Sequence, residues 1–286
     1  MSYDTILTVM AGRDQDKQPN AASLAALTAA ETLCSVFDAH LDIFCLGLDQ
    51  VHAGFYYPDA APQVFKDAID RAVDSARAVE AIVNERMRGS TVRWSIDTAV
   101  AQLGGVSALV GQKARFSDLV VMPRPYGDDA PPDTVAITEA ALFQGSAPVL
   151  VLPPGAPPEL PPRRILIAWN EGEEALDAVR RSLPFLRGAE TVEILIIAPP
   201  PSGRDAAEPG SELSQMLARK GVPTKISVVA QTYPLTSDVI KQHTLETAAE
   251  MVVMGGYGHS RFREAILGGT TRNMLQDANI PILMAR

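Results

Sequence analysis

The residue types best suited to chemistry in this chain lie in one run, Gly255-Gly-Tyr-Gly-His-Ser-Arg-Phe-Arg-Glu-Ala-Ile-Leu-Gly-Gly-Thr-Thr271. Nine residues separate Gly258 from Gly268, and Gly269, Thr270 and Thr271 follow directly. Glycine tolerates φ > 0 and lets a ligand come close to the main chain. A helix starting at the threonines would add free N–H groups and the positive end of its dipole. Together these features suit a phosphate. The same pattern also serves merely to turn the chain after a strand and cap a helix, and spacing alone does not separate the two readings. His259 reads either as a phosphate contact or as a surface residue. Arg261 and Arg263 either draw phosphates in or pair in solvent with Glu264.

Other chemistries lack their residues. There is no Gly-x4-Gly-Lys-Ser/Thr, no Gly-x-Ser-x-Gly and no His-Glu-x-x-His. His40, His52 and His243 are scattered without ligand spacing, so no metal site is expected. Nothing stands out as a general base or a water-positioning residue, so no catalytic residue is assigned. Cys34 and Cys45 form no CxxC pair and read as buried, reduced thiols. With 34 Asp plus Glu against 25 Lys plus Arg, the formal charge of -9 repels a phosphate backbone and argues against nucleic acid. Glu31, Asp38 and Asp42 interrupt the most apolar N-terminal region, so no membrane span is expected. Met1 to Asp4 supply no basic stretch before an apolar core, which points to the cytoplasm rather than to secretion.

The elements that must position the glycine run follow from periodicity. Short β-rich runs alternate with longer amphipathic stretches, the signature of an α/β fold with a parallel sheet and crossover helices. Strands are expected at 5–10, 41–48, 91–99, 118–122 and 148–152, with helices at 21–39, 64–88, 101–114 and 134–143. The order then repeats, with strands at 164–169, 192–198, 224–229, 251–254 and 282–285 and helices at 173–186, 211–220, 236–249 and 270–277. Asp118-Leu-Val-Val-Met122 matches Glu250-Met-Val-Val-Met254, and Ala147-Pro-Val-Leu-Val-Leu152 matches Ile280-Pro-Ile-Leu-Met-Ala285. A repeat of this length implies duplication of a whole domain. At 286 residues the chain has room for two. Pro153, Pro154, Pro157, Pro158, Pro161 and Pro162 crowd the joint, which places the domains at 1–155 and 162–286.

On these residues the chain resembles the universal stress protein family. Gly255-x2-Gly258-x9-Gly268, followed by Gly269-Thr270-Thr271, is similar to that family's nucleotide-binding motif between the fourth strand and the fourth helix. The resemblance covers nearly the whole chain as two tandem copies. It implies two open parallel-sheet domains of Rossmann-like, adenine nucleotide alpha-hydrolase-like fold. It also implies ATP, with Mg2+ as companion, its phosphates lying on the motif glycines and the hydroxyl residues after them. Ala168, Trp169 and Asn170 would then hold the adenosine at the end of the first strand, with Ile197 and Ala198 near the base and Met254 and Gly255 at the end of the fourth. The sequence departs from the family at two positions: Asn170 replaces the acidic residue of many ATP-binding members, and Gly269 stands where Ser or Thr is usual. Without the resemblance, Trp94 and Trp169 read as core residues.

The first copy carries Pro123-Arg-Pro-Tyr-Gly127 in place of the first glycine cluster, and Val135 and Ala136 opposite Gly268 and Gly269. Proline removes amides that would face a phosphate, so this copy is expected to bind no nucleotide and to act as a structural partner. In the family the last strand commonly pairs across a dimer. Here two apolar last strands in one chain are expected to pair internally as a pseudo-symmetric dimer, with homodimerisation as a further step. The implied function is a stress-response protein that senses or buffers an adenine nucleotide. Two alternatives stay open: a nucleotide-independent module for an unknown protein partner, and a slow ATP hydrolase. The Gly54 to Pro62 insertion reads as a lid or a plain surface loop.

Overall fold

A computed structural model of the protein describes residues 2–12, 19–49, 62–127, 130, 132–155, 158–198, 209–256, 269–277 and 279–286. The first half runs β1 (Thr5–Gly12), α1 (Ala21–Phe37), β2 (His40–Asp49), α2 (Pro62–Met87), β3 (Arg93–Gln102), a 3-10 turn (Leu103–Gly105), α3 (Val106–Ala114), β4 (Leu119–Pro123), α4 (Pro132–Phe143) and β5 (Val149–Leu152). The second runs β6 (Arg164–Trp169), α5 (Glu173–Arg181), α6 (Leu183–Gly188), β7 (Thr191–Ile197), α7 (Ser211–Ala218), β8 (Lys225–Val229), α8 (Thr236–Thr247), β9 (Met251–Gly255), α9 (Gly269–Asp277) and β10 (Ile282–Ala285). The strands made wholly of apolar residues, β4, β5 and β10, are buried along their whole length, as strands covered on both faces must be. The fold is therefore α/β, as periodicity predicts.

Two boundaries differ from the sequence expectation, each for a local reason. The single helix expected over 173–186 is two helices, because Pro184 has no N–H for the carbonyl one turn back and its ring crowds that turn. Ser182 holds the joint, its N–H reaching the Ala178 carbonyl at 2.9 Å and its hydroxyl the Val179 carbonyl at 3.0 Å. The helix expected from Ala101 begins instead at Val106, since β3 keeps its ladder with β2 as far as Gln102. Gly104 and Gly105, poor helix formers, fall in the turn between them.

All ten strands join one sheet, in the order β3-β2-β1-β4-β5-β10-β9-β6-β7-β8. Counted outward from the β5–β10 seam, both halves show the same order. Every pairing is parallel except this seam, where Leu150 faces Leu283 in antiparallel register and neither residue has exposed surface. Each last strand thus covers the edge the other would leave open. One face of the sheet is covered by α1, α2, α5, α6 and α7, and the other by α3, α4, α8 and α9. Each face has a core drawing on both halves: Leu33, Val83, Ala178 and Leu217 on the first, Val110, Ala140, Ile240 and Met274 on the second. On the first face Tyr3, Phe37 and Phe185 form an aromatic trio with centroids 5.1 to 5.5 Å apart, and the Tyr3 hydroxyl donates to the Arg181 carbonyl at 2.7 Å.

The duplication reaches individual hydrogen bonds. At the start of β4, Asp118 accepts from the Asp4 and Thr5 amides at 2.8 and 3.0 Å. At the start of β9, its counterpart Glu250 accepts from the Arg163 and Arg164 amides at 2.6 and 3.2 Å. In both copies a carboxylate ties down the beginning of the first strand. Cys34 and Cys45 are free and buried, and burial pushes both thiols up to about 12, which keeps them protonated and inert. Among the described residues no helix is long and apolar enough to cross a membrane.

Candidate functional site

In an open α/β sheet a ligand crevice opens at the carboxyl ends of the strands where the chain order reverses. In the second half that point lies between β6, which leads outward to β7, and β9, which leads inward to β10. Ala168 pairs with Met254 at its floor. Ala168 and Met254 both pack into the α8–α9 side core. Asn170 follows in solvent, and its Oδ1 accepts the Gly172 amide at 3.1 Å, which closes a tight turn into α5. Glu171 takes a left-handed φ of 61° in that turn, and Glu173 and Glu174 open the helix. Three carboxylates at this corner disfavour a phosphate and favour hydroxyl or amino donors.

Gly255 and Gly256 are committed to the fold. A Cβ on Gly255 would come within 2.7 Å of the Ala175 amide nitrogen and 2.9 Å of the Glu174 carbonyl carbon, so its small size lets α5 lie on β9. The Gly256 amide donates to the Ala285 carbonyl at 2.9 Å and thus serves the sheet. The start of α9 lies further on, where the positive end of the helix dipole favours an anion. Among the described residues a Cβ on Gly269 would meet no atom within 4 Å, Thr270 is half-buried, and Thr271 is buried. Gly258, His259, Arg261, Arg263, Glu264 and Gly268 lie outside the described residues, as does the Gly54 to Pro62 insertion up to Ala61, while Pro62 opens α2.

The predicted adenosine residues divide between the two faces. Ile197 packs with the α8–α9 side core, and Ala198 turns the chain with a φ of 44° while its amide bonds to the Val229 carbonyl at 2.9 Å. Trp169 packs instead on the α5–α7 side. There it lines a cavity of about 450 Å³ with Leu176, Leu213, Met216, Glu212, Gln215 and Arg219. Strand alternation is the cause, since neighbours on a strand face opposite ways. Trp169 therefore shares its face with Gly255 and α5, and the start of α9 belongs to the opposite face.

The matching crevice of the first copy is built differently. Pro123 is buried, Tyr126 packs partly buried against the α3–α4 core, and α4 opens with Asp133 and Thr134 buried. A carboxylate of the chain itself thus stands in the first turn where an anion would seat.

Sequence reading missed one cluster. Glu193 is buried in β7, where its carboxylate accepts from the Ser227 hydroxyl at 2.5 Å and lies 2.8 Å from His243 Nε2 and 3.6 Å from Lys225 Nζ. Burial works against its charge, but the Ser227 and His243 hydrogen bonds and the Lys225 ammonium outweigh it and hold the carboxyl below its usual range. The clue in the sequence was a lone acid inside the apolar run of β7; its partners lie far along the chain. Among the described residues no group of three or more His, Cys, Asp or Glu side chains is placed to hold a metal ion.

The doubly wound sheet with a ligand crevice at its switch point defines the general class, and the comparisons narrow it. Residues 162–286 match the model of the Universal stress protein family. No curated protein matches the chain in sequence. A universal stress protein from Archaeoglobus fulgidus DSM 4304 superimposes with a TM-score of 0.69 at 12% identity, covering 98% of each chain. A proposed universal stress protein from Pseudomonas aeruginosa UCBPP-PA14 gives 0.60 at 15% identity, over 98% of this chain and 92% of that one. A protein of unknown function from P. aeruginosa PAO1 gives 0.58 at 14% identity with the same coverage. At these identities the likeness establishes the fold across both halves.

Proposed function

We propose that residues 162–286 form a domain that binds an adenine nucleotide, ATP with Mg2+, in the crevice between β6 and β9, and that residues 1–155 form a second domain that binds none. The observation that carries this is the start of α9 at Gly269-Thr270-Thr271, where nothing among the described residues crowds Gly269, directly after the motif glycines. The positive end of the helix dipole favours the phosphate tail. The acidic corner at Glu171, Glu173 and Glu174 favours the other end of the ligand, where the ribose hydroxyls and the base amine are donors. The two ends of the crevice thus orient the nucleotide in one direction. Mg2+ carried with ATP would offset repulsion between the phosphates and these carboxylates.

The role is that of a cytoplasmic sensor or regulatory module whose ligand state is read by a protein partner, or by a second copy. Calorimetry on nucleotide-free protein tests the reading: ATP should bind with a stoichiometry of one, and Gly268→Val should abolish the heat while leaving the thermal melt unchanged. Absence of ATP binding in the unaltered chain, or two sites per chain, would overturn it. Mass spectrometry of ligand released on denaturation provides an independent check, and a protein that purifies empty and binds no nucleotide would favour a pure interaction module.

A further inference from the structure

Aligning Asp118 with Glu250 places Tyr126 of the first copy at the position of Gly258, the second glycine of the motif. Where a phosphate cradle needs a bare main chain, this copy carries a large ring. The ring is not idle. Tyr126 lies beneath the Arg272 guanidinium, 5.7 Å from ring centroid to Cζ, and Arg272 belongs to the first turns of α9 in the other copy. The two residues are brought together only because β5 and β10 pair at the seam, which sets the loop after β4 beside α9. The contact also runs one way. The alignment of Gly269 with Ala136 sets Glu139 opposite Arg272, so α4 offers no cation for a reciprocal contact.

We infer that the degenerate loop of the first copy acts as a prop for the second: Tyr126, through Arg272, is a positioning residue that fixes the start of α9. This rests on the nucleotide reading only in so far as the start of α9 holds the phosphates. Behind the contact, Thr271 is buried in the first turn and Met274 and Leu275 anchor the later part of α9 in the shared core, whereas Gly269 and Arg272 are exposed. A side chain reaching from the neighbouring copy therefore acts on the exposed side of the first turn.

The test compares Tyr126→Leu, Tyr126→Phe and Arg272→Ala in the full chain, by hydrogen exchange at the amides of residues 270–275 and by calorimetry with ATP and with adenosine. An exposed cation–π contact is worth about a two- to fivefold change in an equilibrium. Tyr126→Leu and Arg272→Ala should speed α9 exchange by about that factor and weaken ATP by as much, with adenosine unchanged. Tyr126→Phe, which keeps the ring, should behave as the unaltered protein. Unchanged exchange in Tyr126→Leu would overturn the inference, and so would a Phe variant as impaired as the Leu variant. If ATP binds nowhere but exchange responds as expected, the prop stands and the nucleotide reading falls.

Discussion

Two glycines near the crevice look alike in the sequence and differ in consequence. Gly255→Ala forces a methyl group against the backbone of α5, with 2.7 Å to the Ala175 nitrogen. Backbone yields poorly, so a loss of about 1–3 kcal/mol in stability is expected by urea denaturation. Among the described residues Gly269→Ala meets no atom within 4 Å, and it should stabilise the fold by about 0.4–1 kcal/mol, because the unfolded chain loses freedom. Gly269→Ser restores the hydroxyl usual in the resembled motif and should tighten ATP binding measured by calorimetry, with the melt little changed. A Gly269→Ser protein with weaker ATP binding would show that the phosphates do not reach α9.

At the scale of elements, α8 is fastened to β7 and β8 by the cluster around Glu193. His243 comes from α8, Ser227 and Lys225 from β8, and the carboxylate that joins them from β7. Since the folded carboxyl titrates below its ordinary value of 4.5, its contribution to stability is complete above that value and is lost as the pH falls through the folded value. Glu193→Gln should therefore cost about 1.5–3 kcal/mol at pH 7, the worth of hydrogen bonds to a charged group. The gap to the unaltered protein should close below pH 4.5 in urea titrations. An equal gap at pH 7 and pH 3 would show that Glu193 acts by shape and not by charge.

For the whole molecule, the single sheet and the two shared cores predict that the halves do not unfold separately. Trp94 reports on the first half and Trp169 on the second, so Trp169→Phe and Trp94→Phe give one reporter each. Their urea transitions should coincide, and Leu283→Ala at the seam, where no surface is exposed, should lower both midpoints with a loss of about 2–5 kcal/mol. Residues 162–286 made alone would expose the open side of β10 and the face of Phe185 that meets Tyr3 and Phe37. Light scattering should show that fragment self-associating. Two well-separated transitions in the intact chain would mean that the seam joins independent bodies.

Local patterning was enough for the elements and the repeat. Apolar runs such as Val149–Leu152 and Ile282–Ala285 read as strands because a strand buried on both faces has no polar positions to spare. The matched segments around Met122 and Met254 gave the duplication, and the bare spacing of Gly255, Gly258 and Gly268 marked one candidate phosphate loop. Tertiary structure decided what those residues do. It spent Gly255 on the approach of α5, gave the Gly256 amide to Ala285, and turned Trp169 to the face opposite α9. It also joined Glu193 to His243 and Tyr126 to Arg272. The reason is range: propensity and periodicity act between near neighbours in the chain, whereas a charge cluster or a ring beneath a guanidinium exists only after strands far apart in sequence have paired.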